Sequence, residues 1–216
     1  MDRLKNLKGA IFDLDGTILD STRLWKEIDV RFLAKRGIGL PEDYADAIGA
    51  MAIGQAAEYT VARFSLSDSP ADLIAEWREM AARAYAEEIG LKPFAKEYLF
   101  ALHARGVRLA VATSSEESLF LPALKRNGIE GLFSAFVTAQ EVGAGKDFPR
   151  VYCRAAELLG LRPEACAVFE DLPTGIRSAS GAGFLTVGVY DSATAHRTRE
   201  VRDAADLFIR SFRELL

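Results

Sequence analysis

The sequence predicts an α/β protein in which a doubly wound parallel sheet is interrupted by a helical domain. Three observations lead to this prediction. Beyond residue 92, short apolar runs alternate with segments of helical periodicity, as in a parallel sheet covered by helices. The apolar run at 9–12 is of the same kind, although it lies near the start of the sequence. Residues 21–89 show helical patterns only, so we interpret them as an insertion after the first strand.

The first predicted strand ends in two closely spaced carboxylates. Residues 9–12 are too short and too apolar for an amphipathic helix, which favours a buried parallel strand. Asp13 and Asp15 follow it, and residues two apart on a strand point to the same face. Two anions this close repel each other unless a cation binds between them or one is protonated. This strand end is therefore a candidate catalytic site.

The inserted segment is predicted to contain four helices. Asp20-Ser21 offers an N-cap for the first, and Pro41 opens a short second helix. The third covers 55–64, and the longest begins at Ser69. We therefore place a core domain at residues 1–18 and 90–216 and a helical cap at residues 19–89.

The remaining elements of the core alternate along the chain. Parallel sheets of this class bind ligands at the carboxyl ends of their strands, so the residues after each strand are the candidates for function. The predicted strands are 107–112, 135–138, 166–169, 185–189 and 207–209, and the predicted helices are 94–105, 117–127, 149–160 and 174–182.

Polar side chains follow several of these strands. Thr113-Ser114-Ser115 follows the second strand, Lys146 comes after the third, and Glu170-Asp171 follows the fourth. A sheet with a purely structural role has no need of this set. Together with the two carboxylates of the first strand, it is suited to phosphoryl transfer through an aspartyl-phosphate.

The same residue types predict a chemical role for each side chain. Asp13 would be the nucleophile, and Asp15 would protonate the leaving oxygen and then activate water. Lys146 would neutralise the carboxylate and phosphate charges, while Thr113 and the Ser114 amide would donate hydrogen bonds to phosphate oxygens.

A magnesium ion completes this prediction. Mg²⁺ prefers oxygen ligands and commonly uses one or two carboxylates together with substrate phosphate. Asp13, Asp171, a carbonyl such as that of Asp15, and water could supply these ligands.

These motifs resemble the haloacid dehalogenase superfamily, in the subgroup with a helical cap after the first motif. The resemblance implies a Rossmann-like core, the roles given above and the Asp15 backbone carbonyl as a Mg²⁺ ligand. It implies that Glu170 lies beside the metal or orients a metal-bound water. It also implies substrate contacts from Gly16, Thr17, Ser114 and Ser115. Asp147 departs from the family's Lys-Pro-x-Pro pattern, with little expected effect because Lys146 and Pro149 remain. The matching segments are 12–17, 112–115, 145–149 with Tyr152, 168–176 and 179–183.

Within the family, the resemblance favours a phosphatase acting on a small monophosphate. Dehalogenases of the family lack a carboxylate at the position of Asp15. The β-phosphoglucomutase type uses a cap histidine where this chain has Trp25, and the phosphonate hydrolase type needs a cap lysine that segment 48–55 does not offer. Trp25, Met51 and Ile53 are expected to face the substrate, or alternatively to be cap core. A sugar-phosphate mutase and a non-catalytic binding protein are the alternatives.

Composition bears on partners and location. A formal charge of −4 argues against a nucleic-acid or anionic-membrane partner. Cys153 and Cys166 are expected to be reduced, and the N-terminal residues lack an apolar signal core, so we expect a cytoplasmic protein. The oligomeric state is open, with a monomer as the default. His103 and His196 are expected at the surface. The Gly-rich stretch before Lys146 does not fit a nucleotide P-loop, which needs Ser or Thr after its lysine.

Overall fold

The fold was obtained as a computed structural model. It describes Leu4, residues 6–48, Met51 and residues 53–216, but not the side chains of residues 45 and 46. Gly49, Ala50 and Ala52 of the predicted cap segment lie outside the described residues, as do residues 1–3 and 5 of the N-terminus.

A six-stranded parallel sheet forms the centre of the fold, which confirms the predicted fold class. Its strand order is β3-β2-β1-β4-β5-β6, so the first strand lies between two strands that are distant from it in sequence. All pairings are parallel. This order reverses direction at β1, which is where ligands bind in open α/β sheets. The strands are β1 (Gly9–Phe12), β2 (Arg108–Thr113), β3 (Phe133–Thr138), β4 (Cys166–Glu170), β5 (Leu185–Val189) and β6 (Leu207–Ile209).

Ten α-helices are present among the described residues. The four helices predicted for the core are confirmed, with each end within two residues of its predicted position. They are α1 (Thr22–Ala34), α2 (Tyr44–Ile48), α3 (Ile53–Phe64), α4 (Pro70–Glu87), α5 (Ala95–Ala104), α6 (Glu117–Arg126), α7 (Ala139–Val142), α8 (Arg150–Leu158), α9 (Pro173–Gly181) and α10 (Thr198–Ala204).

Two short helices were not predicted as elements. Helix α7 is a single turn that begins after Thr138, whose side chain accepts a hydrogen bond from the Glu141 amide. Four residues are too few to show a 3.6-residue period. Helix α10 lies in the Arg-rich stretch whose sequence left helix and loop equally open.

The chain divides into two compact units. One comprises the residues up to Thr22 and from Ile89 onward, and the other is Arg23–Glu88. That the second unit serves as a cap for the active site stays a prediction. Among the described residues, no helix combines the length and the apolar character that crossing a lipid bilayer would require.

The core of the first unit surrounds β1. All four residues of this strand are buried, and Phe12 stacks on Phe169 of β4 with their ring centroids 4.4 Å apart. Burial on both faces explains why the strand is a continuous apolar run. It also fixes the backbone from which Asp13 emerges, since the Asp13 amide donates to the Phe169 carbonyl at 3.0 Å.

The second unit has its own core. Phe32 of α1 packs edge-on against Trp77 of α4 at 5.4 Å. Arg36, two residues after the end of α1, pairs with Glu76 of α4 at 2.9 Å and with Asp68 at 2.7 Å. Helix α4 begins at the predicted position, with a capping box between Ser69 and Asp72.

Candidate active site

The turn after β1 is built around Gly16. The amides of Thr17, Ile18 and Leu19 all donate to the Leu14 carbonyl, which closes a tight loop. Gly16 has a φ of 81°, a conformation that residues with a Cβ rarely adopt. A Cβ at this position would also lie 2.5 Å from an Asp171 carboxylate oxygen. Glycine is therefore needed here for the backbone conformation and for the close approach of Asp171.

Lys146 joins two strand ends through its ammonium group. Its Nζ forms an ion pair with Asp13 after β1 and contacts Oε2 of Glu170, the last residue of β4, at 3.0 Å. The Lys146 side chain is only 11% exposed. Bonds between ionised partners in a poorly hydrated site are stronger than neutral ones, so the three side chains restrain one another.

Three carboxylates meet beside this lysine. Ligand oxygens of Asp13, Glu170 and Asp171 all lie within 4.8 Å of one another, and all three residues are buried. Glu170 Oε1 is buried and makes no hydrogen bond. Three carboxylates facing one ammonium leave two negative charges, which a divalent cation would balance. The site residues therefore fit an oxygen-coordinated divalent metal ion.

The raised pKa values of the three carboxylates indicate that this cluster needs a further cation. Burial raises the pKa of Asp171 to about 7 and that of Glu170 well above its ordinary value, and the Asp13 charge adds to both. Burial likewise raises the pKa of Asp13, against the attraction of Lys146. Burial alone would lower the pKa of Lys146, but Asp13 and Glu170 raise it well above its usual range. Lys146 is therefore firmly cationic, while the carboxylates need further positive charge to ionise together.

Asp15 is held outside this cluster by two hydroxyl groups. Its Oδ1 accepts a hydrogen bond from Ser21 Oγ at 2.6 Å, and its Oδ2 accepts one from Ser115 Oγ. Both carboxylate oxygens are therefore oriented by donors from different loops. Ser115 was expected at the phosphate and Ser21 only as a helix cap. Sequence reasoning thus missed Ser21 as a partner of Asp15, because a hydroxyl before a helix already has a common explanation.

The other predicted residues of the first unit lie around the same strand ends. Thr17 is fully buried, and its Oγ1 donates to Asp171 Oδ1 at 3.4 Å. Thr113 is also fully buried and accepts a hydrogen bond from the Ser115 amide at 3.1 Å, whereas Ser114 is exposed. Whether these residues contact phosphate stays a prediction.

A buried carboxylate that was not predicted follows β5. Asp191 is 4% exposed and pairs with Lys92 at 2.7 Å. It also accepts hydrogen bonds from the Thr22 hydroxyl at 2.8 Å and the Ala193 amide at 2.6 Å. Burial works against ionisation, but the hydrogen bond and charge of Lys92 lower the pKa of Asp191. The rule that polar residues follow strands would have found Asp191 had it been applied to the fifth strand.

Three residues predicted to face the substrate belong to the second unit. Trp25 on α1 is 45% exposed, Ile53 is exposed, and Met51 is half-buried. Their predicted contact with substrate stays a prediction. Elsewhere, His103 and His196 are exposed, as expected, and both cysteines are free thiols, with Cys166 buried.

Comparison with known proteins identifies relatives over most of the chain. Residues 7–183 match the family model described as haloacid dehalogenase-like hydrolase. Hexitol phosphatase A of Escherichia coli K12 is 32% identical over 212 residues, which are 96% of this chain and 93% of that protein. Fructose-1-phosphate phosphatase YqaB of the same organism is 30% identical over 193 residues, 84% of this chain and 95% of that protein.

Solved structures share the fold as well. A crystal structure from Thermotoga maritima, provisionally named a beta-phosphoglucomutase, superposes with a TM-score of 0.84 at 26% sequence identity. The match covers 94% of each chain. The likeness therefore extends well beyond the motifs at the strand ends.

Proposed function

Because this chain belongs to the haloacid dehalogenase-like hydrolases, we propose that it is a Mg²⁺-dependent phosphatase acting on a small phosphomonoester. The observation that carries the proposal is the pairing of Asp13 with Lys146 beside a separately held Asp15. One carboxylate is restrained as a nucleophile, and a second, two residues away, is oriented for proton transfer. A phosphomonoesterase needs both groups.

The proposed reaction takes place in two steps on Asp13. In the first step, a carboxylate oxygen of Asp13 forms a bond to phosphorus while the bond to the ester oxygen breaks. Asp15 gives a proton to that oxygen, so the alcohol leaves as a neutral molecule. In the second step, water attacks the aspartyl-phosphate, Asp15 takes a proton from the water, and inorganic phosphate leaves Asp13.

Charge compensation comes from residues around the nucleophile. Lys146 offsets the negative charge that Asp13 and the phosphoryl oxygens bring together, because its ammonium lies at Asp13 and remains protonated. Mg²⁺, when bound, would supply further positive charge at the phosphoryl group. Asp13, Asp171 and the backbone carbonyl of Asp15 would hold the ion, with Glu170 beside it.

We propose a sugar phosphate or sugar alcohol phosphate carrying a single phosphate as the substrate class. Two relatives at 30% identity or more are named for hexitol and fructose-1-phosphate. Trp25, Met51 and Ile53 of the second unit would offer apolar contacts and no cation for a second phosphate. A panel of phosphate esters should therefore give the fastest phosphate release with monophosphates of polyhydroxy compounds. Preference for a bisphosphate over every monophosphate would contradict this substrate class.

Replacing the proposed nucleophile tests the reaction itself. Asp13→Asn should abolish hydrolysis of p-nitrophenyl phosphate, because an amide cannot form the acyl-phosphate link. Asp20→Asn, a change at an exposed acid of the same segment, is the control and should retain activity. EDTA should stop the wild-type reaction and added Mg²⁺ should restore it. Full activity of Asp13→Asn would refute the proposed nucleophile.

A mutase is the second candidate, favoured by the likeness to the Thermotoga maritima structure. A phosphatase releases inorganic phosphate from β-glucose 1-phosphate, whereas a mutase returns a sugar phosphate isomer. Phosphorus NMR of the reaction separates these products. Isomer formation without phosphate release would favour the mutase.

A further inference from the structure

Two buried polar atoms near the candidate metal site lack hydrogen-bond partners. One is the hydroxyl of Tyr152 on α8, and the other is Oε1 of Glu170 at the end of β4. Both residues are fully buried. An unpaired polar group in a protein interior carries a desolvation cost, so such groups are uncommon without a reason. Phenylalanine would fill the volume of Tyr152 without this cost.

Gly175 shows that these two groups border the same small space. A Cβ built on Gly175 would lie 2.5 Å from the Tyr152 hydroxyl oxygen and 2.9 Å from the Glu170 carboxyl carbon. Glycine at the start of α9 therefore keeps open the region that both groups share. Ser178, one turn further along the same helix face, carries another buried hydroxyl without a partner.

Tyr152 also lies near Lys146, which pairs with Glu170. The Lys146 Nζ lies 6.0 Å from the centroid of the Tyr152 ring and 3.0 Å from Glu170 Oε2. One carboxylate oxygen of Glu170 is therefore held by Lys146, and the other is buried without a partner in a carboxylate whose carbon borders the same space as the Tyr152 hydroxyl. A tyrosine hydroxyl can donate a hydrogen bond to a carboxylate, which makes the two unpartnered atoms chemically complementary.

We propose that Tyr152 is a positioning residue for Glu170. Its hydroxyl donates a hydrogen bond to Glu170 through one water molecule and so fixes the carboxylate beside Asp13 and Asp171. This inference rests on the proposed function, because it assigns Tyr152 to the support of the proposed metal site. Groups that orient metal ligands typically contribute about 10–100-fold to metal affinity or activity.

The decisive variant is Tyr152→Phe, which removes one oxygen and keeps the ring. Titration of the metal-free protein with Mg²⁺ by calorimetry should show binding weakened by about tenfold or more. Turnover should fall at low Mg²⁺ and recover at saturating Mg²⁺, with KM for the phosphate ester unchanged. The melting temperature of the metal-free protein should not fall, because the hydroxyl makes no direct hydrogen bond to another protein group. A purely structural tyrosine would change the melting temperature and leave Mg²⁺ affinity as it was.

Tyr98→Phe is the matched control. Tyr98 is a buried tyrosine of the same unit, and its ring packs on Phe169 at 5.7 Å. Its replacement should leave Mg²⁺ affinity unchanged. Gly175→Ala is a second variant that fills the shared space, and it should weaken Mg²⁺ binding as Tyr152→Phe does.

The outcomes separate the two proposals. Equal Mg²⁺ affinity of wild type and Tyr152→Phe would overturn the role of Tyr152 and leave the phosphatase intact. A wild-type protein that hydrolyses phosphate esters without binding Mg²⁺ would overturn both the metal and the role of Tyr152. A selective loss of affinity in Tyr152→Phe supports the positioning role.

Discussion

The two aspartates after β1 have different partners, which fits their different proposed roles. Asp13 is paired with Lys146, whereas Asp15 accepts hydrogen bonds from Ser21 and Ser115. Two carboxylates two residues apart thus have different surroundings. Differences of this kind allow one carboxylate to act as a nucleophile and the other to transfer protons.

The role of Asp15 predicts a dependence on the leaving group. Asp15→Asn should lower kcat for an alkyl phosphate by about 10²–10⁴-fold, because the departing alkoxide then receives no proton. For p-nitrophenyl phosphate, whose phenolate leaves without protonation, formation of the aspartyl-phosphate should be much less affected. Pre-steady-state release of nitrophenolate measures this step. An equal loss of the first step with both substrates would contradict the acid role.

At the scale of elements, Asp191 connects segments on both sides of the inserted unit. It accepts a hydrogen bond from Thr22, the first residue of α1, and it pairs with Lys92, which precedes α5. Lys92 also donates to the Tyr190 carbonyl at 2.8 Å. One buried carboxylate after β5 therefore restrains two distant segments of the first unit.

Replacing Asp191 should destabilise the protein. Asp191→Asn leaves the largely buried Lys92 ammonium without its counter-charge, which should cost about 3 kcal/mol of unfolding free energy. Because the folded pKa of Asp191 is lowered, the loss should be complete above the ordinary aspartate pKa of about 4 and shrink below it. Urea unfolding at several pH values measures this dependence.

The control for this prediction is an exposed aspartate in an ion pair. Asp203→Asn breaks a contact with Arg199 in which both side chains are solvent-accessible, so it should cost less than about 1 kcal/mol. Equal stability of the Asp191 and Asp203 variants would show that the buried pair contributes nothing beyond a surface pair.

At the scale of the whole molecule, buried carboxylates make the stability depend on pH in opposite directions. Burial raises the pKa of Asp29 in α1 to about 6, so its ionised form is disfavoured in the folded second unit. An acid whose folded pKa is raised stabilises the protein at low pH, and that contribution is lost as the pH rises from about 4 to about 6. The pH dependence of stability that Asp29 causes therefore has the opposite sign to the one that Asp191 causes.

The variant Asp29→Asn tests the direction of this pH dependence. At pH 8 the variant should be more stable than wild type by about 1 kcal/mol, a figure reduced for the partial exposure of Asp29. The gain should disappear near pH 4, where wild-type Asp29 is protonated. Glu27→Gln, at an exposed acid of the same helix, should show no such pH-dependent gain. Chemical denaturation at the two pH values gives the comparison, and a gain that is the same at both would contradict the raised pKa.

The sequence predicted the parts of this molecule that leave a strong local signal. Apolar runs and helical periods located the six strands and the long helices, and the polar residues after the strands included Asp13, Lys146 and Asp171. The partners of those residues were harder to find. Ser21 contacts Asp15 across a tight turn, Asp191 contacts distant segments, and Tyr152 is assigned only by proposal. Their local patterns have ordinary explanations as a helix cap, a turn residue and a core aromatic. The strand order, which brings β1 beside β4, is also set by packing and not by any local pattern.

The most direct test of the proposed reaction is to trap the aspartyl-phosphate. The Asp15→Asn variant should form it from acetyl phosphate and Mg²⁺, because this leaving group needs no proton, and should hydrolyse it slowly. Acid quenching followed by borohydride reduction converts an acyl-phosphate to an alcohol, and peptide mass spectrometry locates the change. Reduction of residue 13 to homoserine is the predicted result. Reduction at another carboxylate, or at none while phosphate is released, would contradict the role of Asp13.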